Sequence, residues 1–173
     1  MKLFDFSSFA TLSLKTLSEE RTTSENIHYL EAPAEGSRRE RCQLDVFHPR
    51  EQTGTPVLVY LHGGGLTGGD HHGTPELWKH LGCVIVSPTY RLYPDAKYPE
   101  FIEDAAAALA WTKRHVGEFG GDPAKIFVTG HSAGGYLTAC LALMPEFLSS
   151  HGLSPFDFAG FIPISGSMVT HFA

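Results

Sequence analysis

The stretch Ile126-Phe127-Val128-Thr129-Gly130-His131-Ser132-Ala133-Gly134-Gly135 constrains the fold of this chain more than any other. A short β-prone run enters a Gly-x-Ser-x-Gly turn, and an apolar segment leaves it and continues to Leu143, where Pro145 limits it. A strand that meets a helix across so short a turn forces the serine into a strained backbone geometry. Its hydroxyl is then left pointing out at the carboxyl end of a sheet. Gly130 and Gly134 flank the turn, where side chains would collide with the neighbouring strand or helix. The plain alternative is that Ser132 caps the helix, but capping explains the serine and not the glycines on either side.

Two more runs have the character of strand 126–129. Residues 56–61 and 83–86 are continuous and β-rich, which suits strands buried on both faces of a mainly parallel sheet. Between the second and third runs, Tyr98-Pro99-Glu100 opens a helix with acidic Glu100, Glu103 and Asp104 at its start, and Lys113, Arg114 and His115 follow near its end. Residues 27–30 and 42–47 read as two opening strands paired as a hairpin, and 158–164 as a last strand. The fold class is therefore α/β: a mainly parallel central sheet flanked by helices. Residues 1–25, Ser/Thr-rich with loosely spaced Phe6, Phe9, Leu12, Leu14 and Leu17, form a separate N-terminal segment and a candidate piece of a cap. Residues 26–173 form the sheet domain.

Directly after the first buried strand stands Leu61-His62-Gly63-Gly64-Gly65. Acyl transfer needs donors for the oxygen that turns negative in the tetrahedral intermediate, and consecutive glycines let backbone N–H groups reach it unobstructed. Gly63 and Gly64, with the N–H of Ala133, make the expected oxyanion hole. His62 and Gly65 support the loop, as Gly130, His131 and Gly134 support the turn. Two independent motifs thus fall where one mechanism requires them, with Ser132 as nucleophile.

Other chemistries fit less well. Gly63 to Gly68 satisfies G-x-G-x-x-G, but no helix opens at Gly69-Asp70-His71-His72-Gly73, and the next strand ends in Ser87-Pro88 rather than in an acid for a ribose hydroxyl. No Lys-Ser/Thr follows the glycines, so a phosphate-cradling loop is also out. Asp70, His71 and His72 read as solvated residues bordering the active-site mouth, and no metal or other cofactor is expected. Thirteen Lys+Arg against nineteen Asp+Glu, net −6, leave no electrostatic footprint for nucleic acid. Cys42, Cys83 and Cys140 lie in apolar segments without metal or redox spacing, as buried free thiols do. Asp5 interrupts the N-terminal apolar stretch too early for a signal-peptide core, and no run reaches the ~18 apolar residues of a membrane span. A cytoplasmic protein with a small-molecule partner and no membrane partner is expected.

From about residue 26 onward the chain resembles the α/β-hydrolase superfamily, specifically hormone-sensitive-lipase-like esterases and the related bacterial carboxylesterase and formamidase-like proteins. Beyond the two glycine motifs, the likeness rests on Pro88-Thr89-Tyr90-Arg91-Leu92-Tyr93-Pro94 and on Phe119-Gly120-Gly121-Asp122-Pro123. His131 stands where many such enzymes carry Asp or Glu, which leans toward the formamidase-like and small bacterial esterase branch. The resemblance implies a serine hydrolase that cleaves small carboxylic esters through an acyl-enzyme on Ser132, without metal or organic cofactor. The alternatives are an arylformamidase-like amide hydrolase and a non-catalytic binding protein on the same scaffold. Family order is Ser, then acid, then His, and the residues after Ser132 offer only Glu146, His151, Asp157 and His171. The acid and histidine are expected beyond Ala173, so that the chain ends after about the sixth strand and is inactive by itself.

Overall fold

The computed structural model describes residues 21–30 and 34–166. Its centre is one six-stranded sheet in the order β1-β2-β4-β3-β5-β6. The strands are β1 (Arg21–His28), β2 (Gln43–Pro49), β3 (Thr55–Leu61), β4 (Val84–Pro88), β5 (Gly121–His131) and β6 (Gly160–Ile164). β1 and β2 pair antiparallel, as the hairpin expectation has it, although a short helix, α1 (Gly36–Arg41), lies between them. β1 begins at Arg21, so residues 21–25 of the N-terminal segment belong to the sheet; the helical reading of its earlier part lies outside the described residues. β2 runs antiparallel to β4, while β3, β4, β5 and β6 are mutually parallel where they pair. Parallel neighbours need crossovers. They are supplied by two 3₁₀ turns, His71–Gly73 and Glu76–His80, then by α2 (Glu100–His115), α3 (Ala133–Leu143) and the short α4 (Pro145–Ser149).

Val57, Val59 and Leu61 of β3 align with Ile126, Val128 and Gly130 of β5, and all but Gly130 are completely buried. They merge with Ile102, Ala106 and Leu109 of α2 and Leu137 and Leu141 of α3 into one core, in which each large side chain contributes about 1.5–3 kcal/mol. The helical period places these residues on one stripe of α2, with the acidic start and basic end expected of it. The expectation of burial on both faces holds for β4, buried throughout. In β3 and β5 the opposite face is more open: Leu58 and Phe127 are only half-buried. On that face Trp78 meets Tyr60 edge-on, with ring centroids 5.0 Å apart. At the sheet margin Ile162 of β6 is exposed, and among the described residues β6 pairs only with β5.

The segment after β4 is held by charge. Asp104, fully buried on α2, accepts from Arg91 Nε at 2.7 Å, Arg91 Nη2 at 3.0 Å and the Arg91 backbone N–H at 3.1 Å. Glu100 Oε1 takes the remaining arm of the guanidinium at 2.9 Å. Bidentate geometry of this kind offsets the cost of taking a carboxylate out of water. Replacing Arg91 with methionine leaves Asp104 buried without its main partner. The unfolding free energy is expected to drop by roughly 3–5 kcal/mol, seen as a lower urea midpoint with an unchanged slope.

Candidate active site

Gly-x-Ser-x-Gly and the glycine triplet lie at the carboxyl ends of two adjacent parallel strands. The β3–β5 register ends on the pair Leu61↔Gly130, so His62-Gly63 after β3 lies beside His131-Ser132 at the end of β5, where His131 still pairs with Ile164 of β6. Ser132 has φ 57° and ψ −116°, a left-handed geometry that costs a non-glycine residue about 1–3 kcal/mol. It is held there from both sides: its N–H donates to Ile164 O at the end of β6 (3.0 Å), and its carbonyl accepts from Tyr136 N–H of α3 (3.0 Å). The helix-cap alternative is not realised, because the Ser132 side chain makes no capping bond.

The glycines are explained by backbone, not by side chains. A Cβ on Gly134 would overlap Leu61 O and lie 2.7 Å from His62 O, and one on Gly130 would lie 2.5 Å from Gly134 C. A methyl group on Gly63 would stand 3.0 Å from His131 O and 3.5 Å from Ser132 Cβ, so the Gly63 backbone lies directly against the serine. Among the described residues, the N–H groups of Gly63, Gly64 and Ala133 donate no hydrogen bond. Gly64 adopts φ 116° and turns its carbonyl inward to accept from Thr67 and Gly68 N–H, both at 3.1 Å. Gly65 is exposed, also at positive φ, and begins the return of the loop. His131 is exposed.

His62 is only 2% exposed. Its ring stacks on Tyr90, centroids 4.3 Å apart and planes 7° from parallel, and Nδ1–H donates to Gly63 O at 2.7 Å. Burial pushes its pKa down to about 4, against the opposing pull of the Gly63 carbonyl, and the nearby Arg41 charge lowers it further. The imidazole is thus neutral and packed under the loop. Two supports are not among the site residues read from the sequence. Tyr90 Oη–H donates to His62 O at 2.6 Å, and Arg41 ties β2's approach to the same loop by donating to Gly69 O at 2.6 Å and to Tyr90 O at 3.3 Å. Tyr90 lies within a stretch that carries the family resemblance, whereas nothing in the local sequence marks Arg41.

Of the four candidates for acid and base, the three among the described residues are not gathered here. Asp157 closes a turn by accepting from Ser154 N–H at 2.7 Å, and Glu146 and His151 line a cavity between α2 and α4 with Arg38, Glu103 and Arg114. None of Gly63, Gly64, Ser132 and Ala133 borders that cavity. His171 lies outside the described residues. No described residue hydrogen-bonds to Ser132 Oγ. Asp70, read with its neighbours as solvated, instead accepts from His72 N–H at 2.9 Å, while His71 is buried.

A family model described as alpha/beta hydrolase fold matches residues 58–164, which include both glycine motifs and all of β5, α3 and β6. The chain belongs to the α/β-hydrolase fold family. A second model, described as carboxylesterase family, matches residues 11–94 of this hydrolase chain. Among curated proteins, a probable carboxylic ester hydrolase, LipM, of Mycobacterium tuberculosis is 45% identical over 99 residues, 54% of this chain and 23% of that protein. The carboxylesterase NlhH of the same species is 45% identical over 91 residues, 50% of this chain and 28% of that one. Among solved structures, a hyperthermophilic esterase from the archaeon Pyrobaculum calidifontis superposes with a TM-score of 0.61 at 31% identity, covering 86% of this chain and 47% of that one. A bacterial heroin esterase gives 0.57 at 28%, covering 86% and 45%. The hydrolase chain thus spans about a quarter of the two curated relatives and under half of these two structures.

Two outcomes follow from the site. Gly134→Ala is expected to destabilise the fold by on the order of 3 kcal/mol, because the methyl group meets backbone that cannot rotate away; thermal denaturation reads it. His62 titrates near 6.5 when unfolded and at about 4 when folded, so between those values the unfolded state binds the extra proton. Its contribution is complete above pH ~6.5 and is lost as pH falls toward ~4, up to roughly 3 kcal/mol. The melting temperature of His62→Asn is expected to fall less steeply over that window than that of the parent.

Proposed function

We propose that this chain carries the nucleophile and oxyanion donors of a serine hydrolase acting on small carboxylic esters. The observation that carries the reading is the pairing of β3 with β5 at Leu61↔Gly130, which sets Gly63 against Ser132 with free N–H donors around it. The ester hydrolase names of the relatives support it. In the proposed reaction Ser132 Oγ bonds to the ester carbonyl carbon while its proton passes to a histidine. The carbonyl oxygen becomes an oxyanion and takes N–H bonds from Gly63, Gly64 and Ala133. The tetrahedral intermediate collapses, the C–O bond to the alcohol breaks, and the alcohol leaves with the proton from the histidine. Water then repeats the sequence on the acyl-enzyme and releases the acid.

The left-handed backbone at Ser132 and the internally hydrogen-bonded glycine loop beside it arrange the donors before substrate arrives, and each such donor is worth about 10²–10³ in rate. A serine near its free pKa also needs a base, and no described residue supplies one. The histidine and its orienting carboxylate are therefore assigned outside the described residues. Substitution of the histidine that serves Ser132 is expected to lower esterolysis by about 10⁴-fold.

The expressed gene product, treated with a fluorophosphonate, is expected to carry the adduct on Ser132, located by peptide mass spectrometry, and Ser132→Ala to remain unlabelled. Preferential labelling of another serine rules the assignment out. The specificity constant for p-nitrophenyl acetate or butyrate is expected to exceed that for the palmitate ester by about tenfold or more. Faster cleavage of N-formylkynurenine than of either short ester would place the protein with amide hydrolases instead.

A further inference from the structure

We infer that Asp45, His71 and His72 form a binding site for one divalent transition-metal ion, with zinc the ion best suited to it. The ligand atoms of the three side chains lie within 4.8 Å of one another. Donors held at 2.0–2.1 Å by one tetrahedral zinc stand roughly 3.3 Å apart, so the cluster needs only a modest contraction. The exposed ring of His72 is the one free to move.

Three features distinguish the cluster from a chance meeting of polar side chains. Asp45 is a carboxylate on β2 with 1% exposure. Its Oδ1 accepts from Asn26 N–H at 2.9 Å, which fixes the group and leaves Oδ2 turned to His71 Nε2 at 3.6 Å. That separation is too long for a hydrogen bond and matches two ligands facing one ion. His71 is 9% exposed, and among the described residues neither of its ring nitrogens makes a hydrogen bond. A buried polar atom left in that condition costs about 1–3 kcal/mol, and coordination would relieve it.

The backbone that presents the histidines is already fixed. His71 O accepts from Thr74 Oγ at 3.1 Å and from Ser87 Oγ at 2.9 Å, Ser87 pairs with Asp45 across β2 and β4, and Asp70 caps the turn at His72 N–H. Two imidazoles and one carboxylate form a donor set suited to zinc, copper or nickel, not to magnesium or calcium. A bound ion would fasten the turn at 71–73, just beyond the glycine triplet, to β2, with solvent completing its coordination on the His72 side. This inference does not depend on the esterase reading, and its test measures metal rather than turnover.

The 173-residue chain, freed of any affinity tag, is titrated with Zn²⁺ by calorimetry and with Co²⁺ by visible absorption. One ion per chain is expected, with cobalt d–d bands of a low-coordinate nitrogen and oxygen site and a higher melting temperature in zinc. His72→Ala alters an exposed side chain and is expected to stay folded, with affinity reduced by about tenfold or more. Asp45→Asn keeps an oxygen for Asn26 N–H, removes the anionic ligand and is expected to lose at least as much. Absence of stoichiometric binding by the parent chain overturns the inference, as does binding that both variants retain at parental affinity.

Discussion

The carbonyl of Leu61 fixes the architecture of this site. Leu61 stands at the last paired position between two parallel strands, and Gly130 and the first turn of α3 at Gly134 both pack against its carbonyl, so strand, strand and helix meet at one peptide group. Nothing larger than hydrogen is accommodated at Gly134, and little more at Gly130. The strain at Ser132 lies within this approach, two residues before the glycine whose added methyl group would meet the carbonyls of Leu61 and His62. The energy is supplied by the surrounding core, where Val57, Val59, Ile126 and Val128 lock the register of β3 against β5. A one-residue slip would turn their side chains to the opposite face and carry the serine away from the glycine loop.

Around this centre the polar groups play graded parts. His62 and Tyr90 are stacked under the loop, with Tyr90 Oη–H on the His62 carbonyl and His62 Nδ1–H on the Gly63 carbonyl, so the buried, neutral imidazole acts as a spacer for the loop. Arg91 and Asp104 act farther out, binding the return from β4 to the start of α2. Both pairs hold segments that are rich in Gly and Pro and have little regular hydrogen bonding of their own.

Much of this was legible in the sequence, for physical reasons. Apolar runs of strand length, glycines bracketing a serine, and a helix with acids at its start and bases at its end are all local signals, and β3, β5, α2 and α3 fall within a few residues of where those signals place them. The full length of β1 was hidden because Arg21 to Ser24 are polar, and an edge strand needs few apolar residues. The opener face of β3 and β5 was hidden too, since a continuous apolar run does not show how much cover each face receives. Least legible were the contacts between distant residues. Asp45 and His71 meet because β2 and β4 pair, Arg41 reaches Gly69 across the loop, and neither event leaves a pattern in the adjacent sequence. The solvated reading of Asp70, His71 and His72 shows the limit: sequence proximity groups His71 with Asp70, whereas the sheet buries it against Asp45.

The bond from Ser132 N–H to Ile164 O gives the marginal strand an influence on timing. β6 has one neighbour among the described strands, and a strand paired on one side opens more readily than one paired on both. Each such opening would release the amide of Ser132 to solvent. The hydrogen-exchange lifetime of that single amide would therefore be a clock for the opening of β6.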